Sequence, residues 1–260
     1  MVSVQTDYAT YLRIDELLDL QQPLSSGADD EMLFIVVHQV YELWFKLILH
    51  ELDAATTALD EGRAHAAPRP LRRAVAVEQL LIDQLRVLES MSPDGFMRFR
   101  DPLAPASGFQ STQFREIEAL SGLRDPRHLS DGVRSDTQRA RIGERMEARS
   151  MYAALCGALR AASLDVPDGD GESERDRRLA ALASVYRDHD DAVRAVLHDV
   201  CELYLDHDET IARWRHHHAL MAAREIGSRT GTGGSLGVAY LHTTLDRRFF
   251  PELWEVRNRL

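Results

Sequence analysis

The chain has 260 residues, of which 44% are apolar and 28% are charged, and its formal net charge is −11. This length and balance are typical of a globular protein with one large core. Because nucleic acids and anionic membrane surfaces attract basic proteins, so acidic a chain is expected to bind neither.

The N-terminal segment MVSVQTDYATYLRIDELL has neither the basic start nor the apolar run of a secretory signal peptide. The two cysteines, Cys156 and Cys201, lie far apart and show no metal-type spacing. Unpaired, reduced thiols of this kind are typical of the cytoplasm. We therefore predict a cytoplasmic protein.

The first long helix is predicted from residue 29 to about residue 60. Its acidic first turn, 29–31, suits a helix N-terminus, and Gly62 ends it. Apolar residues run nearly all the way round between 32 and 49, so the helix is expected to be central and buried on most sides. Four polar side chains interrupt the run and argue against a membrane span. They are His38, Gln39, Glu42 and Lys46.

Helical patterns also dominate the rest of the chain. Further helices are predicted at 71–91, about 110–120, about 136–163, about 176–187 and about 189–226. The segment 93–109, rich in Pro, Gly and Ser, is predicted to be a loop with one short turn, and 125–134 and 165–176 are predicted to be irregular. The predicted fold is an all-α helical bundle, a single domain over residues 1–260 with a small helical excursion at about 125–187.

Three consecutive histidines, His216, His217 and His218, lie near the end of the last long helix. A helix turns by about 100° per residue, so they point in three directions. His218 shares a stripe with Trp214 and Met221, which predicts an inward-facing imidazole, whereas His217 lies on a polar face and His216 lies between the two. An inward imidazole is either a half-buried structural residue or a metal or haem ligand, and spacing alone leaves both open.

A loop rich in Gly, Thr and Ser, GSRTGTGGSLG at 227–237, follows this helix. Gly227 suits the position that terminates a helix. The loop lacks the lysine and the preceding strand of a phosphate-binding loop. Two interpretations remain: a flap that closes over a small polar ligand with its backbone N–H groups and the Thr232 hydroxyl, or a flexible linker.

Five stretches, in order along the chain, together resemble the tryptophan 2,3-dioxygenase family. They are YATYLRIDELLDLQQPLS (8–25), DEMLFIVVHQVYELWFKLILHEL (30–52), FMRFRDPLAPASGFQSTQFREIE (96–118), WRHHHALMAAREIGSRTGTGGSLGVAYL (214–241) and FFPELWEVR (249–257). The segment 119–213 matches only loosely. The resemblance implies a bundle enclosing a haem b pocket and an enzyme that uses O2 to cleave the indole C2–C3 bond of L-tryptophan, giving N-formyl-kynurenine.

The same resemblance implies roles for individual residues. His218 matches the proximal ligand of the haem iron, and His38 matches the distal, catalytic histidine that faces the indole N–H. Arg100 matches the arginine that pairs with the substrate carboxylate, a task that suits a planar guanidinium. Thr232 matches the loop threonine at the ammonium and carboxylate end of the substrate. Phe34, Leu103 and Ser107 match the substrate pocket, and Ser107, Gly108 and Trp214 are assigned to the haem.

The N-terminal segment carries a further set of matches. Tyr8, Tyr11 and Leu12 match substrate-site residues that reach into the pocket of a neighbouring subunit. The resemblance therefore implies a homo-oligomer, expected to be a tetramer, whose N-terminal segments are shared between subunits.

The chain departs from the family pattern at several positions. Phe96 stands where some bacterial members carry Tyr, so a hydroxyl that could assist Arg100 is absent. His217 replaces an arginine, Leu236 replaces a small hydroxyl residue in the glycine-rich loop, and ADDEM stands where many members carry HHDEM. These changes leave the haem assignment in place and open the question of the substrate.

Two alternatives follow. The first is a haem-dependent monooxygenase of a modified tryptophan or a related aromatic amino acid. The second is a helical haem or non-haem metal protein without catalysis, in which His38 and Glu42 belong to a metal site. For His38 there is also a purely structural interpretation, a core histidine bonded to a neighbour such as Glu42.

Overall fold

The structure is a computed structural model that describes residues 7–27, 29–130, 134–188, 191–234 and 236–260. Every regular element in these ranges is helical, which confirms the predicted all-α fold. The helices are α1 (Tyr8–Leu12), α2 (Ile14–Leu18), α3 (Asp29–Asp60), α4 (Pro68–Leu88), α5 (Pro93–Leu103), α6 (Thr112–Leu120), α7 (Asp136–Glu147), α8 (Met151–Ala161), α9 (Glu172–Arg187), α10 (Ala192–Ile226), α11 (Val238–His242) and α12 (Pro251–Glu255). Short 3₁₀ turns occur at Ala64–Ala66, Gly108–Gln110, Pro126–Leu129 and Val256–Arg259.

The three longest helices, α3, α4 and α10, form the frame of the molecule, and α4 packs against both of the others. Their buried side chains recur every three or four residues, the spacing of a single helix face. Full burial of one such aliphatic or aromatic side chain contributes about 1.5–3 kcal/mol, so these seams hold the walls of the site in place. Fully buried examples are Ile48 and Leu52 on α3, Leu71, Leu81 and Leu85 on α4, and Leu197 and Tyr204 on α10.

Helix α3 has the predicted bounds, but one of its faces is exposed. Met32, Val36 and Leu43 are 43%, 40% and 51% exposed, so the expectation of burial on most sides is wrong for this part of the helix. Periodicity cannot separate an apolar face that packs in the core from one that the chain leaves uncovered. By length and composition α3 could cross a membrane, which is weak evidence because core helices of globular proteins pass the same test.

The segment 93–109, predicted to be a loop, contains helix α5. Ser92 caps it by accepting a hydrogen bond from the Gly95 N–H at 3.1 Å. Pro93 lies in the first turn, where the missing N–H has no helical partner to lose. Phe96 and Phe99 bury one face. The Pro and Gly content therefore obscured a short amphipathic helix, and this correction matters because α5 carries Arg100.

The predicted helix at 136–163 is two helices, α7 and α8. Ser135 and Gln138 form a capping box at the start of α7, and Ser150 caps α8 by accepting from the Ala153 N–H at 3.2 Å. Two such caps specify two helix starts. Helix α7 packs on α6, α8 on α3, and α9 on α10. The predicted start of the last long helix at 189 lies outside the described residues.

Buried polar groups fix the position of α10. The His207 imidazole bonds the Glu78 carboxylate of α4 through Nδ1 (2.6 Å) and the Ser121 hydroxyl through Nε2 (2.8 Å). Next to it, Asp208 accepts hydrogen bonds from the Phe249 N–H, the Phe250 N–H and the Trp254 indole N–H at 3.0, 3.1 and 2.9 Å. Because buried polar groups are costly unless they are bonded, these contacts set the register of α10 against its neighbours.

Candidate functional site

The predicted site residues meet at one cavity of about 480 Å³, bounded by α3, α5, α10 and the glycine-rich loop. This volume is within the range of small-molecule sites, roughly 300–1,000 Å³. All the predicted residues outside the N-terminal segment line it. They are Phe34, His38, Arg100, Leu103, Ser107, Gly108, Trp214, His218 and Thr232.

His218 faces the cavity from α10, on the stripe that periodicity selected. Its ring stacks on the Trp214 indole, with centroids 5.1 Å apart and planes 11° apart. Burial, together with the nearby His38, lowers the pKa of His218 to about 4. The imidazole is therefore neutral at physiological pH, which is the form that ligates a metal. Within the described residues no hydrogen bond occupies its ring nitrogens.

The other two histidines of the triplet face away from the cavity. His217, expected on a solvated face, is partly buried and its Nε2 lies 2.9 Å from the Glu89 carboxylate. His216, expected to be intermediate, is exposed. The helical stripe thus identified the inward residue correctly. The burial of the other two depended on Glu89, the C-cap residue of α4, whose carboxylate lies next to His217.

His38 and Phe34 line the cavity from α3, one turn apart, with ring centroids 4.0 Å apart. The His38 Nδ1 lies 2.7 Å from the Phe34 carbonyl oxygen. Because a carbonyl only accepts, Nδ1 carries the hydrogen and Nε2 is left as a hydrogen-bond acceptor. Burial lowers the pKa of His38, which keeps the ring neutral.

His38 does not form the hydrogen bond to Glu42 that its structural interpretation suggested, because its Nδ1 bonds the Phe34 carbonyl instead. Gln113 donates hydrogen bonds to both the Glu42 carbonyl and the Glu42 carboxylate at 2.8 Å. Among the described residues no group of three or more His, Cys, Asp or Glu side chains could hold a metal ion. The structure therefore offers no support for a non-haem site built on His38 and Glu42.

Arg100 lies in the last turn of α5, and its side chain is 19% exposed. Its Nη2 donates to the Thr230 carbonyl of the glycine-rich loop at 2.6 Å, while its Nε is buried without a partner in the described residues. A buried, unpaired guanidinium N–H is costly unless a ligand accepts from it. Arg100 is thus available to an anionic group in the cavity.

The glycine-rich loop lies against the segment that follows α5. The Thr232 hydroxyl donates to the Ala106 carbonyl at 2.5 Å. A Cβ on Gly233 would lie 2.8 Å from the Ser107 Cβ, so the two segments touch closely. These contacts favour the flap over the linker interpretation, since a linker needs no fixed partners.

The three N-terminal residues of the predicted site lie elsewhere. Tyr8, Tyr11 and Leu12 form part of α1 and are 76%, 74% and 44% exposed. They do not line the cavity of their own chain. Exposed aromatic side chains on a short helix are available to another molecule.

Sequence reasoning missed a buried charge network at one end of the cavity. Glu118 on α6 accepts from Arg115 through one carboxylate oxygen and from Arg215 through the other, the latter at 2.9 Å. All three side chains line the cavity and are 3–6% exposed. The two guanidinium groups outnumber the one carboxylate, and the Arg115 Nε is buried without a described partner. This end therefore carries a net positive charge.

A second missed residue, Glu225, lines the cavity from α10 and is 6% exposed. It lies seven residues after His218, which places both on one helix face. Nothing in the sequence distinguishes Glu225 from a surface glutamate, because it directly follows the charged Arg224.

Comparison with known proteins identifies one family. The profile described as Tryptophan 2,3-dioxygenase matches residues 2–173 and 172–260. A protein of Nocardioides sp. named Tryptophan 2,3-dioxygenase is 42% identical over 98% of this chain and 95% of its own length. Proteins of the same name from Anaeromyxobacter sp. (strain K) and Herpetosiphon aurantiacus are 41% and 40% identical, over 99% and 97% of this chain and 97% and 98% of their own lengths.

Proposed function

This chain belongs to the tryptophan 2,3-dioxygenase family, and we propose that the cavity lined by His38 and His218 is its active site. The enzyme is a haem-dependent oxygenase that uses O2 to open the indole ring of L-tryptophan between C2 and C3, giving N-formyl-kynurenine. The observation that carries the site assignment is that a neutral imidazole and a guanidinium N–H, both without a hydrogen-bond partner among the described residues, line one cavity.

The cavity residues suit haem b. His218 would hold the iron, because its imidazole faces the cavity and is neutral. The positive end formed by Arg115, Glu118 and Arg215 suits the carboxylate groups that haem carries, and the unpaired Arg115 Nε is a donor for one of them. When bound, haem supplies the oxygen activation that no side chain can perform.

Arg100 holds the substrate carboxylate. Its fork-shaped guanidinium can donate two parallel hydrogen bonds, which fix orientation as well as position. The Nε donor is unpaired, and the Nη2 donor exchanges the Thr230 carbonyl for a substrate oxygen. Thr232 lies on the same loop, and its hydroxyl oxygen can still accept from the substrate ammonium.

His38 orients the indole. Its Nε2 is an acceptor because Nδ1 is committed to the Phe34 carbonyl, so the ring can accept a hydrogen bond from the indole N–H. Phe34 and Leu103 supply apolar walls that exclude water from the bound ring. Positioning of this kind is a large part of what the protein itself contributes to the rate. Ser107 and Gly108 line the same cavity beside the loop.

Monooxygenation of a modified tryptophan is not favoured. The relatives named above are dioxygenases, and the cavity offers no separate feature that selects a one-oxygen reaction. Leu236, the substitution that prompted the alternative, is 74% exposed in the loop and does not line the cavity.

The complete enzyme is a homotetramer in which α1 of one subunit completes the cavity of another. The exposure of Tyr8 and Tyr11 and the uncovered apolar face of α3 support this arrangement. We propose that the chain is a single-domain protein of the cytoplasm, which suits its two free, buried cysteines. A Tyr11→Asp variant should sediment as a smaller species and lose substrate affinity; unchanged mass and affinity would contradict shared sites.

The reaction is tested by reducing the haem-loaded protein without oxygen, adding L-tryptophan and then O2, and analysing the product. A product heavier by two oxygen atoms, with the absorbance of an opened ring, is expected. A product heavier by one oxygen would support the monooxygenase, and no product with intact haem would argue against both.

A further inference from the structure

Tyr41 links the three long helices at a point close to His218. Its side chain is buried, lines the cavity from α3 and lies three residues after His38. The Tyr41 hydroxyl donates to the Leu81 carbonyl of α4 at 2.5 Å and accepts from the Trp214 indole N–H of α10 at 3.4 Å. One hydroxyl group therefore connects α3, α4 and α10.

His218 depends on Trp214 for its orientation. A histidine that ligates a metal usually donates its second ring N–H to a carboxylate, a carbonyl or a water molecule, and this bond fixes the rotation of the ring. Among the described residues no such acceptor bonds the His218 ring. Its ring contact is the Trp214 indole, with centroids 5.1 Å apart and planes 11° apart. The rotation of the imidazole therefore follows that of the indole.

Two kinds of contact hold the Trp214 indole in turn. The rings of Phe114 and Tyr41 lie beside it, with centroids 5.1 Å and 6.3 Å from the indole. Contacts between rings fill space but restrict rotation only loosely, whereas a hydrogen bond weakens steeply as its angle departs from linear. Within the described part of the chain, the bond to the Tyr41 hydroxyl is the one polar contact of the indole N–H. This bond therefore sets the direction of the indole.

The Tyr41 hydroxyl is itself held in one position. Burial raises the pKa of Tyr41 to about 12, so the hydroxyl keeps its proton at physiological pH and acts as a donor. Its acceptor is a backbone carbonyl of α4 at Leu81, which is fully buried. A hydroxyl that donates in one direction still has lone pairs to accept from another. A chain of two hydrogen bonds thus runs from the backbone of α4 to the indole.

We propose that Tyr41 is a positioning residue that sets the orientation of the His218 imidazole through Trp214, and thereby the strength of the bond between His218 and the haem iron. This inference rests on the proposed function of the cavity. Hydrogen bonds that surround an axial ligand are one of the means by which a protein adjusts a haem iron. Tyr41 acts through one intervening side chain, because its described contacts are with Trp214 and not with the imidazole.

The test compares the wild type with Tyr41→Phe, which removes the hydroxyl and keeps the ring. The haem-loaded protein is reduced without oxygen, and resonance Raman spectroscopy records the iron–imidazole stretching band. In Tyr41→Phe the band should be shifted and broadened, because the indole and the imidazole no longer share one fixed rotation. The rate at which hemin leaves the protein should rise by about 2- to 10-fold, the effect of losing one neutral hydrogen bond.

Tyr204→Phe is the matched control. Tyr204 is a fully buried tyrosine of α10 that does not line the cavity, and its hydroxyl donates to the Met151 backbone carbonyl at 3.1 Å. Both variants lose the same kind of hydrogen bond, so both should lower the free energy of unfolding. Only Tyr41→Phe should change the stretching band and the release of hemin. Equal changes of the band in the two variants, or a wild-type band in Tyr41→Phe, would overturn the inference.

Trp214→Phe removes the same hydrogen bond from the donor side. Tyr41→Phe should therefore add little to its effect on hemin release in the double variant, since two changes that break one contact are not additive. Fully additive effects would contradict the proposed route through Trp214. Should Tyr41→Phe fail to fold, an unchanged band in Trp214→Phe would overturn the inference in its place. A wild-type protein that binds no haem would instead overturn the proposed function.

Discussion

At the scale of single residues, two imidazoles with different hydrogen-bond states define the site. His38 is held by the Phe34 carbonyl through Nδ1, which leaves Nε2 as an acceptor, whereas the His218 ring has no described hydrogen bond and can bind a metal. Both are kept neutral by burial. A pair of neutral imidazoles can therefore serve one cavity in two different roles.

His218→Ala should abolish haem retention, because no other described imidazole on α10 faces the cavity. The measurement is the Soret band after hemin is added and the free haem removed. His216→Ala, which changes an exposed residue of the same helix, is the control and should bind haem normally. A normal Soret band in His218→Ala would show that the ligand lies elsewhere.

Arg100→Ala should weaken tryptophan binding by about 2–5 kcal/mol, the usual cost of truncating one partner of a buried charge pair. Arg100→Lys should recover only part of this, because an ammonium keeps the charge and loses the fork. The measurement is the dissociation constant of tryptophan. Arg98→Ala is the control, since Arg98 lies on the same helix and is 65% exposed. Equal affinities in Arg100→Ala and wild type would rule out the carboxylate role.

At the scale of elements, the glycine-rich loop depends on backbone conformations that other residues rarely adopt. Gly227, Gly234 and Gly237 have φ values of 57°, 76° and 58°. Arg100 of α5 donates to the Thr230 carbonyl of the loop, and the Thr232 hydroxyl donates to the Ala106 carbonyl of the segment that follows α5. These two hydrogen bonds hold the loop beside the cavity, which suits an element that covers a ligand.

Gly237→Ala should raise the KM for tryptophan more than Gly234→Ala does. Both substitutions force an L residue into the left-handed region, a strain of about 1–3 kcal/mol. Only at Gly237 would the new Cβ also collide, at 2.4 Å from the Arg229 carbonyl oxygen, while nothing lies within 4 Å at Gly234. Steady-state kinetics on the two variants measure the difference. Identical KM values would mean that the closed loop does not contribute to binding.

At the scale of the whole molecule, buried neutral histidines make stability depend on pH. His128 is 3% exposed, and neither ring nitrogen has a partner in the described residues. Burial, together with the nearby Arg115, lowers the pKa of His128 from its ordinary value of 6.5 to about 4. Between pH 6.5 and about 4 the imidazole of His128 is protonated in the unfolded chain but stays neutral in the folded protein. The free energy of unfolding therefore falls as the pH falls.

We expect the free energy of unfolding to decrease as the pH is lowered from about 6.5 towards 4, with a smaller decrease in His128→Leu. Chemical denaturation over this range gives the slope of stability against pH. His65→Leu, which changes an exposed histidine, should leave the slope unchanged. A slope in His128→Leu as steep as that of wild type would assign the acid sensitivity to other groups.

The sequence alone determined the features that depend on local pattern. The all-α class and the inward direction of His218 follow from the repeat of apolar residues along a helix, and the bounds of α3 follow from its acidic first turn and from Gly62. Neighbours in the chain are sufficient to reveal all three. Local composition gave the wrong element at α5, where the cap at Ser92 starts a helix in a segment rich in Pro and Gly. It also gave one helix in place of α7 and α8, because a second cap starts a new helix within one long helical pattern.

Only the tertiary structure decided which polar groups meet. The network of Arg115, Glu118 and Arg215 joins α6 and α10, which are far apart in the chain. His38 bonds the Phe34 carbonyl, while Glu42 accepts from Gln113 of α6. The sequence does not distinguish Glu225 from a surface acid, whereas the structure buries it at the cavity. Burial and hydrogen-bond partners depend on contacts between residues that are distant in sequence. Periodicity therefore indicates which way a side chain points but not which groups surround it.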